Sequence, residues 1–78
     1  MKKAVKFVNS LSKELRQKVA NVIALILARE FETLDLKKIQ GEIFLYRVRV
    51  GKIRILFIMD QEMIEIIDVG WRTDNTYK

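Results

Sequence analysis

The chain has no cysteine and no histidine. The first absence excludes a disulfide framework and thiolate metal sites. The second removes the commonest general base and the commonest metal ligand. Proline is missing too, and no Pro/Ser-rich linker, internal repeat or low-complexity tract interrupts the sequence. Long apolar runs are equally absent: the longest, Val22 to Ala28, is far too short to span a bilayer. The basic start runs into Phe7-Val8-Asn9-Ser10 and not into an apolar h-region, so no secretory signal is expected. These absences fit a cytoplasmic protein, and no membrane partner, metal or cofactor is expected. Acidic residues are also in short supply, 10 against 15 Lys and Arg, which leaves a net charge of +5. That balance suits a nucleic-acid or acidic-protein partner.

What is present suffices for one small domain, residues 1–78, with half the residues hydrophobic and able to fill a core. Residues 2–9 read as about two helical turns, with Ala4, Val5 and Val8 on one side and Lys2, Lys3 and Lys6 on another. Ser12 is positioned to cap a second helix, with Glu14 in its first turn. In that helix Leu11, Leu15, Val19, Val22, Ile23, Ile26 and Leu27 keep the i, i+3, i+4 rhythm of an amphipathic helix. From Ala20 to Ala28 it is apolar almost all round, which predicts burial between the sheet and the first helix. The competing reading is that Ala24, Leu25 and Ala28 dock another chain.

Residues 34–41 read as a turn or a single helical turn. Three β-prone runs follow at about 43–50, 52–59 and 63–70. Gly51 and then Asp60-Gln61-Glu62 make short connections, so the strands should form an antiparallel meander. The fold class expected is α+β, a helical hairpin packed on one face of a small antiparallel sheet.

The chemistry concentrates where the first two strands meet. Arg47, Arg49, Lys52 and Arg54 fall within eight positions. Period-2 alternation puts Tyr46, Val48, Val50, Ile53, Ile55 and Phe57 toward the core and Arg47, Arg49 and Arg54 together on the opposite face. In the last strand, an unbroken pleat would put Ile64, Ile66, Asp68, Gly70 and Arg72 on one face. Arg54 sits in a strand expected to be central, so it needs a partner, and Asp68 on the neighbouring strand offers one.

Lys37-Lys38-Ile39-Gln40-Gly41 and then Tyr46-Arg47-Val48-Arg49-Val50-Gly51-Lys52-Ile53-Arg54 resemble the RelE/ParE superfamily of type II toxins. The ending Val69-Gly70-Trp71-Arg72, followed by Tyr77, resembles that family's strand, glycine, basic dipeptide and terminal tyrosine. The resemblance extends over nearly the whole chain. It implies a toxin silenced by a cognate antitoxin. In the RelE-like branch it implies an mRNA interferase, an endoribonuclease that cuts messenger RNA on the ribosome and inhibits translation.

Carried over residue by residue, Arg54 matches the arginine that stabilises the scissile phosphate. Arg72 matches the arginine proposed as general acid or charge stabiliser, and Tyr77 the tyrosine that orients the nucleotide. Arg49 and Arg47 stand where lysines often hold the backbone. Lys52 and Trp71 complete the expected RNA- and phosphate-binding set. Trp71 replaces the family's usual His or Lys, and the family's first strand has no counterpart before residue 2. Two alternatives therefore stay open: a degenerate toxin that mainly binds its antitoxin, and a ParE-like gyrase inhibitor.

Overall fold

The structure, a computed structural model, describes residues 2–72. Two helices, α1 (Lys2–Asn9) and α2 (Lys13–Leu27), precede four strands. These are β1 (Asp35–Lys38), β2 (Leu45–Val50), β3 (Ile53–Met59) and β4 (Ile64–Trp71). Each strand is antiparallel to the next, in the order β1-β2-β3-β4.

An eight-residue helix is too short to persist alone in water. Packing holds α1: Ala4 is buried, and Phe7 and Val8 lie against the same core as β4's Ile66 and Val69. The chain then turns through Ser10, whose hydroxyl donates to the Phe7 carbonyl at 2.6 Å, and buries Leu11. Ser12 starts α2 by accepting from the Leu15 N–H at 3.3 Å, with Glu14 complementing the helix dipole. Only Val19 and Ile26 of α2 are fully buried.

The expectation of a second half buried all round is corrected here. Ala20, Ala24, Leu27 and Ala28 are exposed, because the sheet and α1 cover only the Val19/Ile26 side. The helix closes with the Arg29 N–H bonded to Ile26 and the Glu30 N–H to Leu25, the two bonds of a Schellman motif. Arg29 occupies the left-handed position, at φ 58°, where glycine is usual. That conformation costs a side chain about 1–2 kcal/mol. The guanidinium offsets the cost by donating to the Asp60 carbonyl at 2.7 Å, which clips the β3–β4 turn to the end of α2.

Residues 35–38 form a strand, not the turn or helical turn that the sequence suggests. Asp35-Leu36-Lys37 alternates, and Leu36 pairs with Val48 on the core face while Lys37 faces Arg47 on the other. Four residues are too few for that alternation to stand out in sequence. The sheet thus has four strands where three runs were evident.

Gly51 supplies the positive φ, 59°, that the first central position of a two-residue type II′ hairpin requires. The resulting register sets Tyr46 opposite Phe57, Val48 opposite Ile55 and Val50 opposite Ile53. Phe57, fully buried, stacks between Phe31 and Tyr46 at centroid distances of 6.1 and 5.7 Å. Burying such a side chain stabilises the fold by about 2–3 kcal/mol.

The pleat of β4 does not run unbroken. Leu56 pairs with Asp68 and the next residue, Phe57, with Ile66, so Ile67 is an extra residue in a β-bulge. Ile64 and Ile66 face the core as expected. Beyond the bulge the alternation reverses: Val69 and Trp71 take the core side, and Asp68 and Gly70 join Arg54 on the opposite face. No helix among the described residues is long and apolar enough to cross a membrane.

Candidate functional site

The face of the sheet turned away from the helices carries Arg47 and Arg49 from β2, Arg54 from β3, and Asp68 and Gly70 from β4. Arg49 and Arg54 are direct cross-strand partners. Like charges directly opposite repel. The bulge answers this by delivering a carboxylate: Arg54 Nη2 donates to Asp68 Oδ2 at 2.7 Å. Arg49 is exposed.

Arg54 is the centre of this face. Its side chain is only 15% exposed, and its Nε and Nη1 are buried without a hydrogen-bond partner among the described residues. Buried donors left without an acceptor are costly, each about 1–3 kcal/mol, which sets Arg54 apart from the other cations of this face. The guanidinium reaches over β4 with Nη1 against Gly70, its cross-strand partner, which has no side chain. A Cβ there would sit 2.6 Å from Arg54 Nη1. A guanidinium is the group that pairs with phosphate or carboxylate oxygens in a planar, bidentate fashion.

Arg47 is placed on the same face but in a different state. It is 4% exposed, and its Nη1 lies 3.3 Å from the Asp35 carbonyl and 3.6 Å from Asp35 Oδ1. It ties β1 to β2. Arg72 stands at the hairpin end: its N–H donates to the Lys52 carbonyl at 2.7 Å and its Nη1 to the Gly51 carbonyl at 3.0 Å. Arg72 and Lys52 are therefore neighbours, both exposed. Trp71 is on the other side of the sheet, edge-on to Phe7 of α1 at 5.4 Å and half exposed. It does not share the face that carries Arg54. Tyr77 lies outside the described residues.

The structure thus brings Arg49, Arg54, Lys52 and Arg72 to one side and end of the sheet, sets Arg47 into a strand-to-strand tie, and separates Trp71 from them. Sequence reasoning missed Gly70. The signal was there, since Gly70 interrupts a largely apolar strand, but only the register identifies the side chain it accommodates. Among the described residues no three potential ligands converge on a metal position.

No protein-family model matches the chain, and no curated protein matches it in sequence. A solved structure does. The chain is similar to a chain of the RelB-RelE antitoxin-toxin complex from Methanococcus jannaschii, with 26% sequence identity and a TM-score of 0.76. The match covers 91% of this chain and 86% of that one. Two helices packed on a four-stranded antiparallel sheet are thus a RelE-like toxin fold.

Proposed function

We propose that this RelE-like chain is the toxin of a type II toxin-antitoxin system and acts as a ribosome-dependent mRNA endonuclease. One observation carries the reading: Arg54 sits among the cations of this face with its guanidinium held by Asp68 and with Nε and Nη1 buried and without an acceptor among the described residues. The partner of the solved relative, an antitoxin, supports a cognate antitoxin here. The net charge of +5 suits ribosome and mRNA as further partners.

The reaction needs three events. The 2′-hydroxyl loses its proton as its oxygen attacks the phosphorus. Charge on the phosphorane oxygens is stabilised. The bond from phosphorus to the 5′-oxygen breaks, and that oxygen gains a proton. Arg54 is assigned to the second event, with Arg49 across the strand and Lys52 and Arg72 at the hairpin end. Preorganised donors of this kind are often the largest catalytic contribution. Tyr77 is assigned to orienting the nucleotide. Arg47 supports the face from within, and Trp71 packs on Phe7.

Proton removal is the weak point, because no histidine is present and arginine is a poor base. Positioning on the ribosome and phosphate stabilisation are therefore expected to carry most of the rate. A cleavage assay with programmed ribosomes tests the reading. Wild type should cut the message and an Arg54→Ala/Arg72→Ala double variant should not; full activity in the double variant would overturn it.

A second reading has its own support. Trp71 packs where the family resemblance calls for a His or Lys, and the Arg72 guanidinium is engaged with the Gly51 carbonyl. A homologue that only binds its antitoxin would show both features. Wild-type protein that binds an antitoxin tightly yet leaves ribosome-bound mRNA intact would establish that alternative.

A further inference from the structure

Exposed apolar side chains gather at the end of the sheet away from the Gly51 hairpin. Ile43 is 72% and Phe44 52% exposed, both in the connection between β1 and β2. Together with Tyr46 they line a cavity of about 720 Å³. Small-molecule and cofactor pockets usually measure about 300–1,000 Å³. Arg29 at the end of α2, Lys38 of β1 and the Asp60-Gln61-Glu62 turn supply polar groups to its wall.

A row of rings ends in this cavity. Phe57 stands between Phe31 and Tyr46, with interplanar angles of 9° and 20°. Of the three, Tyr46 alone lines the cavity. Tyr46 is paired with Phe57 on one side and with Lys38 on the other. Residues directly opposite in antiparallel strands share a face. Lys38 therefore stands beyond Tyr46, where a further ring would continue the row.

The charged groups around that place have capacity left. Lys38 is exposed and in no ion pair among the described residues. Arg29 holds the β3–β4 turn through Nη2 alone, by its contacts to the Asp60 and Met63 carbonyls. Its Nε and Nη1 remain for an anion. Asp60 Oδ1 is engaged by the N–H groups of its own turn, whereas the exposed Glu62 carboxylate has no partner among the described residues.

We infer that this cavity binds a nucleotide. The base stacks on Tyr46 and is covered by Phe44, and Lys38 and Arg29 hold the phosphate. Glu62 accepts from an exocyclic amino group of the base. Stacking on aromatic side chains, with hydrogen bonds to the base edge, is how proteins hold unpaired nucleotides. Simpler occupants fit less of the wall. An apolar side chain leaves Lys38 and Glu62 without partners, and an inorganic anion leaves the rings uncovered. The Glu62 contact favours adenine, cytosine and guanine, which carry amino groups, over uracil. The nucleotide arrives either free or as one unpaired unit of an RNA strand. The site lies on the core side of the sheet, away from Arg54, and does not depend on the cleavage reading.

The test is a titration of the isotopically labelled chain, followed by nuclear magnetic resonance. The probes are adenosine monophosphate, uridine monophosphate, adenosine and a short oligoadenylate. Adenosine monophosphate should shift the resonances of Ile43, Phe44 and Tyr46, in wild type and in Arg54→Ala alike. Uridine monophosphate and adenosine should each bind more weakly. Phe44→Ala should weaken binding about tenfold. Lys38→Gln should narrow the gap between adenosine monophosphate and adenosine, and Glu62→Ala the gap between adenine and uracil. Tighter binding of the oligoadenylate at the same resonances assigns the site to an RNA strand; equal or weaker binding assigns it to the free nucleotide.

Absence of shifts at Ile43, Phe44 and Tyr46 would overturn the inference. So would shifts centred on Arg49 and Arg54 that vanish in Arg54→Ala. Equal binding of N-acetyltryptophanamide would overturn it too, because the cavity would then be a seat for an apolar side chain of another protein. Lys38→Gln, at an exposed position outside the core, keeps the test if Phe44→Ala perturbs the fold. Absence of mRNA cleavage would defeat the toxin reading and leave the nucleotide result standing.

Discussion

Two arginine–aspartate pairs share one face of the sheet and differ in what they leave over. Arg47 and Asp35 join β1 to β2 at 3.6 Å, with the arginine side chain 5% and the carboxylate 60% exposed. Arg54 and Asp68 join β3 to β4 at 2.7 Å, with 15% and 35% exposed. The Arg47 pair is backed by a backbone carbonyl of the same strand it ties down. The Arg54 pair uses one nitrogen and leaves Nε and Nη1 buried without acceptors. Residue type, charge and face are the same in both. What separates the two is the donors that remain on Arg54 and the glycine that gives its guanidinium its place.

The sharpest way to break this comparison is to remove each arginine in turn. Arg54→Ala is expected to lower ribosome-dependent cleavage by roughly 10²–10³-fold, the usual effect of removing a charge-stabilising donor, while the melting temperature changes little. Arg47→Ala is expected to do the reverse. It takes a buried side chain from between strands and destabilises the fold by about 1–3 kcal/mol, and cleavage by the folded fraction stays near wild type. If Arg47→Ala abolishes cleavage without lowering the melting temperature, the distinction between the two pairs fails.

Gly70→Ala is the next test. The added Cβ would lie 2.6 Å from Arg54 Nη1, so the guanidinium must shift from its place over β4. Cleavage should fall by about tenfold, because a small misplacement of a catalytic group is costly. Circular dichroism should remain that of the wild type. Arg54→Ala/Gly70→Ala should be no worse than Arg54→Ala, since the glycine acts only through the arginine.

How much of this was legible beforehand depends on the element. Both helices, the Ser12 cap, the Gly51 turn and the grouping of Arg47, Arg49 and Arg54 on one face follow from local patterns of 3.6 and 2 residues. β1 was not legible, because four residues in an otherwise mixed stretch acquire their strand geometry from Val48 and Arg47 across the ladder. The bulge at Ile67 was not legible either. A bulge depends on how two strands meet, and an unbroken alternation would have sent Asp68 to the core side with Ile66. The apolar second half of α2 misled in the other direction: composition announced burial, whereas the layer above the sheet covers only one side of the helix.

The carboxylates sharpen the comparison further, with smaller effects. Asp68→Asn removes a negative charge beside the proposed phosphate-binding Arg54 and loosens the hold on its Nη2. Substrate should bind more tightly while chemistry slows, lowering KM and kcat together, each by about threefold to tenfold. Asp35→Asn should leave both parameters unchanged and shift stability by no more than about 0.5 kcal/mol, because Arg47 keeps the Asp35 carbonyl. Steady-state kinetics on the two variants distinguishes them.

The smallest effect concerns a third aspartate, whose carboxylate is held by backbone and not primarily by a guanidinium. Asp60 Oδ1 accepts from the Glu62 N–H at 2.8 Å and the Met63 N–H at 2.9 Å, closing the β3–β4 turn. These bonds, the Glu62 one first, hold its pKa below the ordinary 3.8, and the Arg29 charge assists. The ionised form is thus the one the fold favours. Its contribution is complete above the unfolded-state value and is lost as pH falls through the lower folded-state value. Asp60→Ala should therefore lower the melting temperature at pH 7 more than at a pH below both values. A gap of equal size at the two pH values would mean that the turn is held by Arg29 and its carbonyl contacts, with the Asp60 charge contributing nothing.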